Sequence, residues 1–322
     1  LNKVIVHDPA TNGWIEKASM SAGRHLFQTT TVDGKILAVG GAGNRNDVET
    51  YDPVANQWTS MPNLNVGRIS PSTWSVRGIT YVAGGYNGGS WLNSVERFDS
   101  ALNAWATGGN LPEAKEGAGS IVLGEKVYLA SGRTSGGNYS DKVYAADLPT
   151  PAMHLYFKDG NATAEAATSP ALDGNVTLNM LAPDALAKLD VDRTHAQSAG
   201  SLIAIPRGSQ PPPGYSLYKR SDRNGSLVWE EKASVSVARV ARDGVEVLDG
   251  KLYFVGGSVA TADKKLTERY DPATNQWETL APMSEARSGV SSSVLNGKLY
   301  AIGGDGLSSV EIFDPQTGQW ST

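Results

Sequence analysis

Short apolar runs, each enclosed between a tight turn and a pair of glycines, recur along most of the chain. Residues 296–304, for example, read Asn-Gly-Lys-Leu-Tyr-Ala-Ile-Gly-Gly. An apolar run between such breaks predicts a buried β-strand. Close copies occupy residues 33–41 and 249–257, and looser copies occupy residues 77–85 and 123–132. The repetition predicts an all-β protein built from similar units.

A second motif, with alternating apolar and polar positions, follows the glycine pairs after a polar loop. Residues 48–53 read Val-Glu-Thr-Tyr-Asp-Pro and lead to Trp58. The alternation predicts a strand with one buried face, and Asp-Pro favours a turn because Pro fixes φ and Asp bonds its own backbone. Six of the eight tryptophans occupy this one position of the repeat: Trp14, Trp58, Trp105, Trp229, Trp277 and Trp320.

Each repeat unit is predicted to form a small sheet of four antiparallel strands. We letter these strands a to d, from the centre of the predicted ring outward. One such sheet cannot bury both of its faces, so the copies must stack, and a ring leaves only short, protected edges. Complete units occupy residues 21–64, 65–112, 233–282 and 283–322. Residues 113–148 supply strands a, b and c, whereas residues 1–20 and 215–232 supply only c–d pairs.

The combination of Gly-Gly, an aromatic residue before Asp, and Trp, at a period of about 44 to 48 residues, resembles the kelch repeat. The resemblance covers residues 1–150 and 215–322 and implies an all-β kelch-type β-propeller with four antiparallel strands per blade. Six Trp-marked outer strands favour six blades, and a seventh, degenerate blade stays open. We therefore predict blades in residues 1–157 and 201–322, separated by an insertion in residues 158–200.

The insertion differs from the repeat in composition. Residues 161–169 are rich in Ala and Thr, which is typical of a linker, and leucines between residues 178 and 189 are spaced for a short helix or stalk. A stalk would allow association into a homo-oligomer; an irregular segment packed on one blade is the alternative. Residues 200–215 resemble a segment of phage tail collars, which would imply a fibre-like surface protein, but a strand and a Pro-rich turn also explain them.

Basic side chains recur just before strand a, at one end of the predicted ring. Arg24, Arg68 and Arg287 each stand ten residues before the turn glycine of their unit, and Lys115 and Arg242 stand near the corresponding place. The kelch resemblance implies a polar pocket here with ligand-contacting arginines, and Arg suits a carboxylate through bidentate hydrogen bonds. Bonds to loop carbonyls between blades are the alternative.

Two loops that follow glycine pairs contain aromatic residues outside the repeat pattern. Tyr86 and Trp91 flank the sequence Asn-Gly-Gly-Ser, and Tyr139 lies in the equivalent loop of the next unit. Exposed aromatic rings beside Asn and Gly suit recognition of a protein or a sugar. For Trp91, the alternative is a cover over the neighbouring blade.

The composition argues against several classes of function. A net charge of −5 without a long basic run argues against a nucleic-acid partner, and no apolar stretch is long enough for membrane insertion. The absence of Cys removes disulfides, thiolate metal sites and copper oxidases of the galactose-oxidase kind, which need a Cys–Tyr crosslink. The four histidines have no metal-ligand spacing, so neither a metal nor another cofactor is predicted.

These features predict a binding or adhesion module that presents loops of the ring to a protein or glycan, with an extracellular or cell-surface location favoured. No catalytic residue is predicted. The alternative is a metal-free kelch enzyme acting on a carboxylate sugar, similar to sialic-acid mutarotases, in which the arginines would line a funnel. Because a fold does not determine a function, the site itself must decide between them.

Overall fold

The computed structural model describes these parts of the chain: residues 2–8, 13–99, 103–148, 153–158, 176–177, 202–206, 215–220, 227–240, 244–258 and 264–322. They belong to two compact units, one formed by residues 1–148 and 226–322 and the other by residues 149–225. Regular structure in the described residues consists of β-strands and one short 3₁₀ turn, Ser135–Gly137.

The first unit contains a two-stranded hairpin and five four-stranded antiparallel sheets, which we call blades 1 to 5. The hairpin consists of β1 (Val4–Asp8) and β2 (Gly13–Lys17). Blade 1 consists of β3 (Gln28–Val32), β4 (Lys35–Val39), β5 (Val48–Asp52) and β6 (Gln57–Met61). Blade 2 consists of β7 (Ser72–Val76), β8 (Ile79–Ala83), β9 (Ser94–Asp99) and β10 (Ala104–Asn110).

Blade 3 is interrupted between its strands c and d by the second unit. Its region begins with β11 (Lys115–Glu116), β12 (Gly119–Leu123), β13 (Lys126–Ala130), β14 (Arg133–Thr134) and β15 (Val143–Asp147). The second unit contains β16 (Met153–Lys158), β17 (Val176–Thr177), β18 (Leu202–Pro206) and β19 (Tyr215–Arg220), paired in the order β17-β18-β16-β19. Strand β20 (Trp229–Lys232) then completes blade 3, in the order β12-β13-β15-β20, and β11 pairs with β14.

Blades 4 and 5 follow the repeat without interruption. Blade 4 consists of β21 (Val245–Leu248), β22 (Lys251–Val255), β23 (Thr267–Asp271) and β24 (Gln276–Thr279). Blade 5 consists of β25 (Ser291–Leu295), β26 (Lys298–Ile302), β27 (Val310–Asp314) and β28 (Gln319–Ser321). The a–b turns explain the recurring glycine: Asp33 and Gly34 have φ of +49° and +74°, as a two-residue type I′ turn requires.

Each blade packs on the next through apolar side chains. Hydrophobic clusters join blades 1 and 2, 2 and 3, 3 and 4, and 4 and 5, and the inner strands contact one another in the series β3, β7, β12, β21 and β25. Among the described residues, no such cluster joins blade 5 to blade 1 or to the β1–β2 hairpin. The packing is therefore a series of four interfaces.

The tryptophan of strand d bonds to the preceding outer strand. Its indole Nε1–H donates a hydrogen bond of 2.8–3.0 Å to a backbone carbonyl oxygen. The acceptor stands four residues after the strand-d tryptophan of the preceding repeat. The donor–acceptor pairs are Trp58–Ala18, Trp105–Pro62, Trp277–Ala233 and Trp320–Ala281. Trp229 is the exception, since its buried Nε1–H has no partner within the described residues. A β-bulge between Thr107 and Gly109 disturbs the backbone where that acceptor would lie.

The β1–β2 hairpin lies against blade 1 as an outer strand pair. Ala18 N–H donates to Asn56 Oδ1 at 2.9 Å, just as Ala233 N–H, after β20, donates to Asn275 Oδ1 of blade 4 at 3.0 Å. Together with the tryptophan bonds, this places the hairpin where strands c and d of a further blade would lie. The described residues, however, supply no strands a and b for it.

The prediction of six four-stranded blades is therefore wrong: the described part of the chain forms five, together with this hairpin. The count failed because Trp marks strand d alone and does not report whether strands a and b are present. Residues 215–232 do not form a c–d pair either, since β19 pairs with β16 whereas β20 pairs with β15. The stalk predicted between residues 178 and 189 lies outside the described residues.

Candidate functional site

The predicted basic residues lie inside the blades. Arg68 is fully buried, and its Nη1 donates to the carbonyl oxygens of Gly84 and Ser94 at 2.8 and 2.9 Å. Its Nη2 donates to Glu96 Oε1 on strand c at 2.6 Å. One guanidinium thus binds the end of strand b, the start of strand c and a buried carboxylate of its own blade.

The same arrangement recurs in blades 1 and 5. Arg24 donates to the carbonyl of Gly40 at 3.0 Å and to Glu49 at 2.6 Å. Arg287 donates to the carbonyl of Gly303 at 2.7 Å and to Glu311 at 3.1 Å. Burial alone would raise the pKa of Glu49, but hydrogen bonds from Arg24 and from Ser21 outweigh it and hold that pKa below its ordinary value.

The backbone of each basic residue also connects two blades. The donor is the backbone N–H of the second glycine of the pair that ends strand b, or of the equivalent residue. It donates to the backbone carbonyl oxygen of the basic residue that precedes the next blade, at 2.8–3.0 Å. These bonds join Gly41 to Arg68, Gly85 to Lys115, Gly132 to Arg239 and Gly257 to Arg287. We call this series the interblade belt. The glycines permit it because it needs a close backbone approach and a positive φ.

In blade 3, other residues occupy both positions of the Arg–Glu ion pair found in blades 1, 2 and 5. Lys115 is buried, its Nζ donates to the carbonyl of Ser131 at 3.1 Å, and Tyr144 occupies the strand-c position of the usual Glu. The ammonium lies 4.8 Å from the Tyr144 ring centroid, close enough for a cation–π interaction. Burial lowers the pKa of Lys115, although the Glu113 carboxylate 3.0 Å away opposes the shift.

In blade 4 the equivalent basic residue is Arg239, which the spacing of the other arginines did not reveal. Its Nη2 lies 2.6 Å from Glu268 Oε2, which makes an ion pair, but the N–H groups do not point at that oxygen and no hydrogen bond forms. The guanidinium carbon of Arg239 lies 4.0 Å from the Phe254 ring centroid. Arg242, the residue predicted for this place, lies outside the described residues. Counting back from the turn glycine failed because Arg239 stands eleven residues before Gly250 rather than ten.

These contacts bear on the predicted ligand role of Arg24, Arg68, Arg287 and Lys115. All four side chains are almost completely buried and bonded within their own blades, as in the alternative of bonds to loop carbonyls. Half-exposed carboxylates cover three of them on the outside: Asp47, Glu113 and Glu285. The geometry supports a structural role, whereas contact with a ligand stays a prediction.

Tyr86 and Trp91 lie together in the loop between strands b and c of blade 2. Their ring centroids are 5.0 Å apart, and both side chains are partly exposed. Tyr86 exchanges two backbone hydrogen bonds with Ile69, at 2.8 and 2.9 Å, so the loop that enters strand a holds the pair in place. Asn87 Oδ1 accepts from the N–H groups of Gly89 and Ser90 and closes the turn between the two aromatics.

Packing against Tyr86 holds the Trp91 ring, and the backbone of Trp91 forms a β-bridge with that of Tyr86. Its Nε1–H has no hydrogen-bond partner within the described residues, although a buried indole N–H usually has one. Turning the ring outward would therefore cost packing but no hydrogen bond. Tyr139 lies in the corresponding loop of blade 3, is also partly exposed, and forms a backbone bridge with Arg133.

One acidic side chain lies between inner strands. Glu246 on β21 is partly buried and hydrogen-bonds to Ser292 on β25 of the next blade. Burial raises the pKa of Glu246 to about 7, and the bond to Ser292 only partly opposes this shift. The folded protein thus holds this proton over a pH range in which the unfolded chain has released it.

Replacing Glu246 with Gln should remove a pH-dependent loss of stability. Since the folded pKa is raised from 4.5 to about 7, the wild type loses stability as pH rises between these values. We expect Glu246→Gln to equal the wild type near pH 4 and to exceed it by roughly 3 kcal/mol near pH 8. Urea unfolding at both pH values measures this, with exposed Glu16→Gln as the control; equal pH profiles would contradict it.

Within the described part of the chain, no group of three or more His, Asp or Glu residues is placed to hold a metal ion. The same residues include no helix that could cross a membrane.

Comparison with known proteins gives matches along most of the chain. The family model for the Kelch motif matches residues 23–65, 70–112, 244–284 and 286–322, about half of the sequence. Kelch-like protein 35 of Mus musculus is 39% identical over 98 residues, which cover 29% of this chain and 17% of that protein. Kelch-like protein 23 of Pongo abelii is 26% identical over 270 residues, which cover 74% of this chain and 47% of that protein.

The chain thus spans less than half the length of these two relatives. Among solved structures, one described as "Structure of YjhT" superposes with a TM-score of 0.64 at 16% sequence identity. The match covers 96% of this chain and 87% of that one, and at this identity it shows a shared fold.

Proposed function

Because the chain belongs to the kelch-repeat family, we propose that it is a protein-interaction module that binds its partner through the loops between strands b and c. Kelch propellers commonly act as protein-interaction scaffolds. The observation that carries this proposal is the Tyr86–Trp91 pair, a partly exposed aromatic cluster on a rigid blade. Aromatic anchors of this kind dominate the energy of many protein interfaces.

A glycan is the second candidate, because an exposed aromatic ring also offers a flat apolar surface to a sugar. The enzymatic alternative, a metal-free enzyme for a carboxylate sugar, is less well supported. It depends on arginines that face a ligand, and Arg24, Arg68 and Arg287 are buried with their charges paired. An extracellular or cell-surface location and association through residues 158–200 stay predictions from the sequence.

Replacing Trp91 with a photo-crosslinking benzoylphenylalanine tests the proposal in the producing cell. We expect one protein adduct whose yield falls when unlabelled wild-type chain competes. The control carries the same crosslinker at Val54, which is 96% exposed. Val54 lies in the c–d turn of blade 1, at the end of the strands opposite to the b–c loops, and should give no such adduct. Adducts of equal pattern at both positions would contradict the proposed surface.

Trp91→Ala should weaken binding of the crosslinked partner by roughly 30-fold, the effect of losing an interface anchor of about 2 kcal/mol. The variant should still unfold cooperatively, although the loss of the ring's packing on Tyr86 lowers its melting temperature, and a melting curve checks that it is folded at the temperature of the binding assay. A glycan array and an NMR assay of sialic-acid anomer exchange complete the test. Glycan binding lost in Trp91→Ala would favour the second candidate, and faster anomer exchange would favour the enzyme.

A further inference from the structure

The two aromatic rings in the b–c loop of blade 2 are held in different ways. Tyr86 is fixed at both ends, because its backbone exchanges two hydrogen bonds with Ile69 and its hydroxyl donates to the carbonyl oxygen of Gly88 at 2.9 Å. The Trp91 ring has no such bond, since its buried Nε1–H has no acceptor among the described residues. Of the two rings, Trp91 is therefore the one that hydrogen bonds do not hold in place.

The backbone on either side of Trp91 is fixed, which confines movement to the side chain. The carbonyl oxygen of Leu92 accepts from the N–H of Lys115 at 3.1 Å, and this bond ties the loop to blade 3. On the other side of Trp91, the N–H of Ser90 donates to Asn87 Oδ1 at 2.8 Å. Rotation about the side-chain bonds of Trp91 thus moves the ring without changing these backbone contacts.

Comparison with the other tryptophans shows what the unpaired N–H of Trp91 means. In four outer strands the indole N–H donates to a carbonyl oxygen, as from Trp58 to Ala18 at 2.9 Å. Trp74 and Trp229 also lack an acceptor within the described part of the chain, but both pack into the hydrophobic cluster between blades 2 and 3. Trp91 instead lies in a loop, where a binding partner can supply the acceptor. Because a buried donor without an acceptor costs free energy, such a bond would favour the complex.

The surroundings of the loop favour a neutral acceptor over an anionic one. Residues 86–92 contain no charged side chain. The adjoining b–c loop of blade 1 packs on Gly88 through Asn44. The basic residue of that loop, Arg45, already binds Asp47 through both Nε and Nη2 at 2.9 Å. A carboxylate brought to this loop would lose water without gaining a counter-charge, which is strongly unfavourable, whereas a backbone carbonyl oxygen needs none.

We propose that the Trp91 ring turns outward when a partner binds and donates its indole N–H to a backbone carbonyl oxygen of an extended segment of that partner. The inference rests on the proposed function, in which Tyr86 and Trp91 anchor a protein partner, and it names the group that the anchor recognises. Tyr86 keeps its place, and contact with the partner replaces the packing that the Trp91 ring gives up. The new hydrogen bond replaces none in the free chain, so it contributes fully to binding.

A ring of nearly the same shape without the N–H tests the free state. Benzothienylalanine, which carries sulfur in place of the indole N–H, is introduced at position 91 by codon reassignment. Since no hydrogen bond is lost, we expect the free variant to melt at the wild-type temperature or above it. The same replacement of Trp58 removes the bond to Ala18 and should lower the melting temperature by about 2 °C. An equal fall at position 91 would show that the N–H is already bonded and would overturn the proposal.

Peptides provide the binding probe, selected on the wild-type chain from a phage-displayed dodecapeptide library with counter-selection on Trp91→Ala. We expect benzothienylalanine at position 91 to weaken their binding about tenfold, because the peptide carbonyl then lacks its donor. The same replacement of Trp58 should leave their affinity unchanged. Peptides that bind the wild type and the position-91 variant equally would refute this inference and leave the proposed function standing. A library that yields no peptide would instead count against the proposed function.

Discussion

Glu96→Ala is expected to lower the free energy of unfolding by about 3–5 kcal/mol. The Glu96 carboxylate accepts from the Arg68 guanidinium at 2.6 Å and from the N–H groups of Asn65 and Val66 at 2.7 and 3.2 Å. Its removal leaves a fully buried Arg68 without its counter-charge and two backbone donors without an acceptor. Denaturant unfolding followed by tryptophan fluorescence measures the loss.

A double-mutant cycle separates the charge from the rest of the effect. Arg68→Met alone leaves Glu96 buried and unpaired, whereas Arg68→Met with Glu96→Met leaves neither charge. The double variant should therefore lose less stability than the sum of the single variants. Additive losses would show that the ion pair contributes nothing beyond the separate side chains.

Gly40→Ala is expected to cost about 3 kcal/mol or more, because it combines backbone strain with a clash between two blades. Gly40 has a φ of +67°, and a Cβ atom there would lie 2.5 Å from the carbonyl oxygen of Arg68 in the entry to blade 2. That carbonyl belongs to the interblade belt, so relieving the clash would also stretch the bond from Gly41.

Gly34→Ala is the matched control. Its φ of +74° is almost the same, but no atom lies within 4 Å of the added Cβ. We expect this variant to lose only the strain energy of about 1–2 kcal/mol. The difference between the two variants, measured by urea unfolding, isolates the close approach of blades 1 and 2. Equal losses would show that the approach is not tight.

Local patterns predicted the strands well because each strand is short and bounded by residues with strong turn preferences. The type I′ turn at Asp33–Gly34 and the outer strand at Trp58 both follow from chemistry within a few residues. The blade count failed since pairing depends on contacts that are distant in sequence. Trp14 marks an outer strand, but nothing near it reveals whether inner strands lie beside it.

The basic residues show the same limit. The even spacing of Arg24, Arg68 and Arg287 located them correctly before strand a, but spacing alone could not indicate whether they face solvent. The better signal was the glutamate of strand c, because a repeated Glu on a half-buried strand needs a repeated cation. In blade 3, where Tyr144 takes the place of that Glu, this signal is missing, and Lys115 contacts the tyrosine ring instead of a strand-c carboxylate.

The interruption of blade 3 has a consequence for how such a chain changes in evolution. Strands β15 and β20 precede and follow residues 149–225 in the chain and are hydrogen-bonded neighbours, so their paired residues Ala146 and Trp229 lie roughly 5 Å apart. A segment inserted between two paired strands can be acquired, lost or exchanged without moving the strands that bracket it. The same junction therefore offers a grafting point, at which a foreign domain with adjacent termini could be installed in place of the natural one.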